Sequence, residues 1–425
     1  MRKYESYKDS GIEWIGEIPE KWWVKKIKHR CYIKARVGWK GLKSDEFLKE
    51  GFAYLVTGSD FKHDAVNWKE CYHIDEERYY DDPFIQLKNE DLLITKDGTI
   101  GKLAIVQELD KPACLNSGVF VVRSTSKDFS TEFLFWILKS KLFTQFNDFT
   151  SYGSTIQHLY QNVFVEFSFP FPRIEEQSAI ATYLDRKTAQ IDELIADKKR
   201  LLELYEEEKT AIINQAVTKG INPDVPMKDS GIEWLGEIPE HWEVKRFKYY
   251  FNLITEKVEE DLPKIGLENI ESKSGKFIET NSDFAGQGIR FRPKDILFGK
   301  LRPYLAKVWI SNFDGQAVGD FYIFRAKDDD LPEFAKYRIL DSSFIEVTNS
   351  STYGSKMPRV SWEFIADLPL AFPNIQEQKS IVHHIETESA RIDAKNSKTE
   401  KLIDLLTEYR TALISEVVTG KVKVI

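Results

Sequence analysis

The stretch that decides the fold is residues 174–217, IEEQSAIATYLDRKTAQIDELIADKKRLLELYEEEKTAIINQAV. It contains no Pro or Gly, and its apolar residues recur at close to seven-residue spacing, interrupted by Lys187 and Lys198. This pattern predicts one long helix with an imperfect coiled-coil seam. At 1.5 Å per residue, about 40 helical residues span roughly 60 Å. A globular core does not need such a length, so we expect a spacer or an assembly surface.

The same pattern returns in residues 375–418, IQEQKSIVHHIETESARIDAKNSKTEKLIDLLTEYRTALISEVV. Ile191 corresponds to Ile392 and Leu202 to Ile403, a constant shift of 201 residues (392 − 191). One such helix alone could also be a surface helix on a core. Two copies at a fixed shift favour an antiparallel helix pair. The predicted seam residues are Leu184, Ile191, Leu194, Leu201, Tyr205, Ile212, Ile385, Ile392, Leu402, Leu406 and Leu413.

A second duplicated stretch precedes each helix. KDSGIEWIGEIPEKW at residues 8–22 returns as KDSGIEWLGEIPEHW at residues 228–242. Gly, Pro and two tryptophans in a short segment predict a loop that packs its aromatic rings on a core. Because the motif is duplicated, it marks the start of each repeat. The chain therefore reads as leader motif, variable body and long helix, and then the same three segments again.

The two variable bodies share an order of elements but little sequence. Body one has β-like runs such as FAYLVTG (52–58) and GVFVVR (118–123), then a helical piece at 131–146. Body two has FYIFRA (321–326) and a helical piece beginning PEFAKYRIL. We predict an α+β fold with a curved mixed sheet in each body.

Composition limits the class of protein. The chain has 425 residues, 42% of them hydrophobic and 30% charged, which allows two or three folded domains. No signal peptide and no apolar run of membrane-spanning length is apparent, and the three cysteines show neither disulfide nor zinc spacing. We therefore predict a cytoplasmic protein without a membrane segment or a metal site. The net charge of −8 is a whole-chain sum, so a basic face remains compatible with it.

Motifs of catalysis are missing from the sequence. GTIGK at 98–102 resembles a phosphate loop, but Lys96 and Leu103 occupy positions where that loop needs Gly and Ser or Thr. There is no dinucleotide fingerprint, no HExxH and no nuclease-like set of carboxylates. We predict a chain without catalytic residues.

Binding residues are more evident. Basic residues alternate with aromatic residues near Lys34 and Arg36 in body one, and near Lys300 and Arg302 in body two. Such clusters suit phosphate contact combined with base-edge reading. A solvated charged face is the alternative, but the presence of a cluster in both bodies favours DNA.

Several motifs of the chain resemble those of a known family. GIEWIGEIPEKW, DLLITKDGTIGKLAIV (91–106), a YGST loop (152–155) and FPRIEEQSAIATYLDRKTAQIDELI (171–195) look like the specificity subunit of type I restriction-modification systems. DILFGKLRPYLAKVW (295–309), YGSK (353–356) and FPNIQEQKSIVHHIETESARIDA (372–394) look like the same unit again. The motif Pro-x-x-x-Glu-Gln opens both helices, at Pro172 and Pro373.

The resemblance implies two target-recognition domains, residues 1–171 and 222–372, and two spacer helices, residues 172–221 and 373–425. Each domain would read one half of an asymmetric bipartite site in double-stranded DNA, and the helices would set the gap. Two adenine methyltransferase (modification) subunits and restriction/translocase subunits would join the chain. S-adenosylmethionine, Mg²⁺ and ATP would bind to those partners, leaving no cofactor in this chain.

The candidate DNA-binding residues lie in the basic clusters and in the YGST and YGSK loops. They are Lys34, Arg36, Lys96, Thr99, Lys102, Tyr152, Ser154, Gln157, His158, Lys300, Arg302, Tyr304, Ser355, Lys356 and Arg359. The two YGS loops could equally be structural turns. A coiled-coil scaffold that binds only proteins is the alternative function, and a stand-alone nuclease is a third.

Overall fold

The computed structural model describes residues 2–36, 42, 46–150, 158–258, 260, 262–280, 286–327 and 331–424. It contains two units: residues up to Lys198 together with those from Lys401, and Lys199–Glu400. This division by compactness passes through both long helices, whereas the boundaries chosen from sequence follow the motifs. We refer to the two parts as unit 1 and unit 2.

Unit 1 is built on a mixed sheet. Its strands are Tyr7–Asp9, Glu17–Pro19, Trp23–Lys26, Cys31–Ala35, Ala53–Val56, Phe61–Lys62, Ala65–Val66, Tyr72–Ile74, Leu92–Thr95, Leu103–Ile105, Ala113–Leu115, Val119–Ser124 and Ser168–Phe171. The short helices are Glu76–Tyr80, Thr131–Lys139, Lys141–Thr150 and Gln161–Phe164. Six strands form the main sheet, in which Val119–Ser124 lies between Cys31–Ala35 and Leu92–Thr95 and is antiparallel to both. The predicted α+β fold is therefore confirmed for this unit.

Unit 2 repeats this plan with a smaller main sheet of four strands. Its strands are Met227–Asp229, Glu237–Pro239, Glu243–Arg246, Phe251–Ile254, Lys264–Ile265, Ile289–Phe291, Ile296–Gly299, Val308–Ile310, Gly315–Ala317, Phe321–Ala326 and Pro369–Phe372. The short helices are Phe247–Tyr250, Pro332–Leu340, Ser342–Ser350 and Trp362–Asp367. Phe321–Ala326 is again the strand between two antiparallel neighbours, Phe251–Ile254 and Ile296–Gly299.

The two long helices have the predicted length. The central helix is Ile174–Lys219, 46 residues, and the C-terminal helix is Ile375–Val418, 44 residues. Each unit contains one part of both. In unit 2, Lys209 pairs with Asp393 at 2.7 Å, and Glu206 accepts a hydrogen bond from Asn396. The partner's residue number rises from 393 to 396 as the number in the central helix falls from 209 to 206, so the helices run antiparallel there.

The helix seam is buried at most of the predicted positions. Leu184, Ile191, Ile385, Ile392 and Leu413 are buried. Leu201, Tyr205, Ile212 and Leu406 are half-buried.

The prediction that Leu194 and Leu402 belong to the seam is wrong, because their side chains are 40% and 39% exposed. The seam continues from Ile191 to the residue four positions on, Ile195, which packs on the core of unit 1. At 100° per residue, positions three and four along a helix lie on either side of the same line, and only packing selects between them.

The duplicated leader closes each unit in the same way. Trp22 and Trp242 are each 1% exposed, as expected for aromatic residues packed on a core. The indole of Trp22 donates to Glu176 at 2.9 Å, and that of Trp242 donates to Glu377 at 3.1 Å. The glutamate of the Pro-x-x-x-Glu-Gln motif therefore fixes the leader on the start of a long helix.

The glutamine of the same motif fixes the body. Gln177 and Gln378 are buried, and their amide groups donate to the carbonyls of Pro172 and Pro373. Their carbonyl oxygens accept from backbone N–H groups of Ser130 and Leu331, both at 3.0 Å. A buried amide with both ends bonded is stable and directional. We call the leader motif, the Glu-Gln contacts and the long helices the repeated frame.

Candidate nucleic-acid interface

In each unit a turn leaves a buried strand and lies against a segment from later in the body. In unit 1 the turn is residues 96–102, and Leu159 N donates to Lys96 O at 3.0 Å. In unit 2 the turn is residues 300–306, and Val360 N donates to Lys300 O at 3.2 Å. We call these the paired loops: residues 96–102 with 158–160 in unit 1, and residues 300–306 with 353–360 in unit 2.

Backbone contacts establish which positions correspond. Lys96 N donates to Gly118 O, and Lys300 N donates to Asp320 O, both at 2.9 Å. Lys96 therefore corresponds to Lys300, and Gly118 corresponds to Asp320. The 201-residue shift that relates the helices also relates Leu159 to Val360 and the preceding His158 to Arg359.

In each unit a carboxylate lies between two basic side chains of the paired loops. In unit 1, Asp97 contacts His158 Nδ1 and lies 3.3 Å from Lys96 Nζ. In unit 2, Asp320 accepts from Nε and Nη2 of Arg359, both at 2.8 Å, and lies 4.0 Å from Lys300 Nζ. The two units thus build similar charge clusters with carboxylates from different chain positions.

The electrostatics of the unit 2 cluster follow from its hydrogen bonds. Those from Arg359 hold the pKa of Asp320 below its usual value, although partial burial acts in the opposite direction. The pKa of the Arg359 guanidinium is raised by the same bonds. The pair is therefore ionised at neutral pH and keeps a defined geometry.

Exposed residues surround this cluster in unit 2. Arg302 is exposed and adopts the left-handed backbone region with φ 51°, which is uncommon for a residue with a side chain. Tyr304 and Tyr353 are 48% and 62% exposed, and Ser355 and Lys356 are exposed as well. Cations and aromatic rings presented on a turn can contact phosphates and base edges.

The paired loops of unit 1 are less completely described. Thr99 and Lys102 are exposed, while Lys96 is half-buried and lies over the ring of Phe120. Tyr152, Ser154 and Gln157 lie outside the described residues. The structure brings Lys96 and His158 together through Asp97, as it brings Lys300 and Arg359 together through Asp320.

Two predicted DNA-binding residues near the start of body one, Lys34 and Arg36, are less exposed than expected. Lys34 is half-buried on the strand Cys31–Ala35. Arg36 is 3% exposed, and its Nε donates to the carbonyl of Leu115 at 2.9 Å. Arg36 is thus a structural residue here and not the exposed phosphate contact that the sequence predicted. Charge alternation along a chain cannot show that a guanidinium is needed to satisfy a buried carbonyl.

Asp97 and Asp320 were missed by sequence reasoning. Asp97 follows a strand in a Lys-Asp-Gly turn, whereas Asp320 immediately precedes a different strand, more than a dozen residues after the matching turn. Their common role appears only when the backbone contacts of Gly118 and Asp320 are compared.

The described part of the chain offers little reactive chemistry. The three cysteines are buried and unpaired, and burial raises the pKa of Cys31 and Cys71 to about 12, which disfavours the nucleophilic thiolate. Within the described part of the chain, no group of three or more His, Cys, Asp or Glu side chains could hold a metal ion. No helix among the described residues is long and apolar enough to cross a membrane.

The sequence is similar to proteins of known type. Residues 19–204 match the family described as Type I restriction modification DNA specificity domain. The chain is 24% identical over 318 residues to the type I restriction enzyme EcoDI specificity subunit of Escherichia coli, covering 68% of this chain and 70% of that one. It is 23% identical over 446 residues to the putative MjaX specificity subunit of Methanocaldococcus jannaschii, covering 99% and 98%.

Solved structures share the fold. The HsdS subunit from Thermoanaerobacter tengcongensis matches with a TM-score of 0.60 at 13% identity, over 95% of this chain and 98% of that one. A chain from a study of complex assembly and conformational transition in the type I R-M system matches with a TM-score of 0.62 at 13% identity, over 95% and 99%. Together with the repeated frame, these likenesses show what the chain is similar to: specificity subunits of type I restriction-modification systems, over nearly its whole length.

Proposed function

We propose that this protein is the non-catalytic DNA-recognition subunit of a type I restriction-modification complex, and that each unit reads one half of an asymmetric bipartite site. The observation that carries the proposal is one frame present twice with differently filled paired loops. At one position of these loops unit 1 has His158, which meets Asp97, and unit 2 has Arg359, which meets Asp320. Different side chains at one structural position are suited to reading different base sequences.

The chemistry of the exposed side chains supports DNA as the ligand. Lys102 and Lys356 can neutralise phosphates, while Arg302, Arg359 and the exposed tyrosines can reach base edges. Phosphate contacts give affinity without sequence preference, and base contacts give the preference. The net charge of −8 does not oppose this division, because many of the acidic residues belong to the long helices and not to the paired loops.

The long helices would set the gap between the half-sites. Inserting one heptad at corresponding points of both helices adds about 10 Å of helix, close to the rise of three base pairs. We expect the unspecified gap to lengthen by about three base pairs while both half-sites stay the same. An unchanged gap would exclude the spacer role. Insertion of four residues in one helix only is the control, since it disrupts the seam register.

The partners follow from the same proposal. Two adenine methyltransferase subunits would dock on the repeated frame, one on each copy, and restriction/translocase subunits would complete the complex. S-adenosylmethionine, Mg²⁺ and ATP would bind those subunits and not this chain. Such a complex acts on genomic DNA, so we expect the protein in the cytoplasm.

A scaffold that binds only proteins is the alternative function, and DNA binding separates the two. Binding of the full chain, with its methyltransferase subunits present, is measured on random duplex DNA at two salt concentrations. A DNA reader should lose affinity steeply with salt, because each neutralised phosphate releases counterions. Binding that is absent at both concentrations would favour the scaffold.

Mapping adenine methylation in the source organism with and without this gene gives the most complete test. Loss of one asymmetric bipartite motif in the deletion strain is the expected result. Retention of every motif would contradict the proposal.

A further inference from the structure

We infer that Asp320 is a positioning residue that orients Arg359 to read a guanine in the half-site of unit 2. The inference rests on the proposed function and adds to it the base that is read and the residue that prepares the contact. Three features of unit 2 support it: the geometry of the Asp320–Arg359 pair, the backbone bonds that hold Arg359, and the contrast with a second Arg–Asp pair.

The geometry leaves one edge of the guanidinium available. Asp320 accepts from Nε and Nη2 of Arg359, both at 2.8 Å, which uses the side edge of the planar group. The end edge, formed by Nη1 and the second hydrogen of Nη2, points away from that carboxylate. Two parallel N–H donors match the O6 and N7 acceptors of guanine in the major groove, whereas adenine offers a donor beside its N7.

The backbone of Arg359 is held from both sides. Arg359 and Tyr353 exchange two backbone hydrogen bonds, each 3.0 Å long. Pro358 accepts from Arg302 N at 2.8 Å, and Val360 donates to Lys300 O. With backbone and guanidinium both fixed before binding, little conformational entropy is lost when the base is engaged.

A second Arg–Asp pair shows what a structural pair looks like in this protein. Arg325 binds Asp295 through Nε and Nη2 in the same bidentate way, but Asp295 is 1% exposed and also accepts from the backbone of Arg292. Unit 1 has the same arrangement in Arg123 and Asp91, with Lys88 N as the backbone donor. That pair belongs to the shared sheet.

The Asp320–Arg359 pair differs from the shared pair in two ways. Both its side chains are partly exposed, with 34% of the Arg359 side chain and 22% of that of Asp320 accessible. Unit 1 has Gly118 and His158 at the same two positions. A pair that the second copy of the fold does not need, located among exposed tyrosines and cations, is suited to a role specific to one half-site.

The experiment measures adenine methylation across the genome of the source organism, which tests the full chain with its own partners. The wild-type and deletion strains first define the bipartite motif. Chromosomal variants Arg359→Ala, Arg359→Lys, Asp320→Asn and Asp320→Glu are then compared, with Asp367→Asn as the matched control. Asp367 is an exposed carboxylate of unit 2 that also pairs with two cations, but it is the last residue of the helix Trp362–Asp367, outside the paired loops.

Both Arg359 variants should allow methylation of sites that differ from the motif at one guanine of one half-site. The loss of a bidentate contact reduces discrimination at that base pair by roughly 5- to 150-fold. Asp320→Asn should relax the same base pair by a smaller factor, and Asp320→Glu should restore most of the discrimination. Asp367→Asn should leave the motif unchanged.

Two outcomes would overturn the inference while leaving the proposed function intact. If Asp320→Asn keeps the wild-type motif while Arg359→Ala relaxes it, Asp320 does not position the arginine. If Arg359→Ala lowers methylation at all sites without admitting new sequences, the arginine contacts a phosphate and reads no base. Retention of every motif in the deletion strain is a different result, because it would refute the proposed function itself.

Discussion

The two units have the same side-chain contacts in the repeated frame, but in the paired loops only their backbone contacts are the same. In the frame, residues correspond one to one: Trp22 with Trp242, Glu176 with Glu377, and Gln177 with Gln378, each with the same bonds. In the paired loops the backbone contacts agree, but the side chains do not, since His158 and Arg359 meet carboxylates from unrelated positions. Packing therefore preserves the frame, while exposed loops on that frame are free to diverge.

The largest expected effect concerns the frame itself. Trp22→Ala and Trp242→Ala should each lower the free energy of unfolding by about 3–5 kcal/mol. Each substitution removes a fully buried indole and leaves Glu176 or Glu377 without its indole hydrogen bond. Urea denaturation measures the loss in each unit. Trp23→Ala is the control, since Trp23 is 49% exposed and should cost no more than about 1 kcal/mol. A buried tryptophan whose loss is tolerated in one unit only would break the equivalence of the two frames.

Each unit has a junction between two consecutive short helices, Thr131–Lys139 and Lys141–Thr150 in unit 1 and Pro332–Leu340 and Ser342–Ser350 in unit 2, and the two junctions differ. Unit 2 buries the ion pair of Arg338 with Asp341 at 2.9 Å, where unit 1 has Ile137 and Ser140. Asp341→Ala should cost about 3 kcal/mol, because it leaves a buried guanidinium unpaired. The double variant Arg338→Ile with Asp341→Ser copies unit 1 and should be close to neutral in urea denaturation. A double variant as unstable as the single one would show that the two cores are not interchangeable here.

The helix seam gives a matched pair of aliphatic substitutions. Ile392→Ala should cost about 2–4 kcal/mol, since Ile392 is fully buried, whereas Leu402→Ala should cost less than about 0.5 kcal/mol. Thermal unfolding of the two variants measures the difference. Equal losses would place Leu402 in the seam and contradict its exposed position.

The paired loops predict separable effects on recognition. His158→Ala should relax only the half-site read by unit 1, and Arg302→Ala only the half-site read by unit 2, each by about 1–3 kcal/mol if the side chain contacts a base. Methylation of motif variants measures both. An equal loss across all sequences would make the residue concerned a phosphate contact.

The smallest expected effect is on the pH dependence of stability in an ion-pair cluster that both units share. Hydrogen bonds from Lys26 and Lys28 lower the pKa of Glu166 to about 2, and Lys248 and Arg246 lower the pKa of Asp367 in the same way. Since the folded pKa lies below the unfolded one, this stabilisation is present above the usual glutamate pKa near 4.3 and is lost as the pH falls toward about 2. NMR titration should show both carboxyl groups ionising below their usual range. Lys26→Ala should raise the pKa of Glu166, and an unchanged value would refute the assignment.

Whether a feature could be predicted from the sequence depends on how far apart in the chain its contacting residues lie. The duplicated leader and helices were predicted because a fixed shift is visible in the chain, and the burial of Trp22 and Trp242 follows from aromatic residues in a turn-rich motif. The choice of Ile195 over Leu194 could not be predicted, since both lie next to the same seam line. Arg36 was misplaced because its partner, the carbonyl of Leu115, is remote in sequence. Asp97 and Asp320 were missed because their equivalence exists only in three dimensions.

The most direct measurement places body one in both frames. Strand Trp23–Lys26 pairs with Ser168–Phe171 in the register that joins Glu243–Arg246 to Pro369–Phe372, so residues 27–167 can replace residues 247–368 at matched ends. The adenine methylation of a strain carrying this chain is then mapped. If the frame serves only as support and each body reads its own half-site, the motif should become two copies of one half-site on either side of the gap. Persistence of the original asymmetric motif would contradict the claim that each body reads its own half-site.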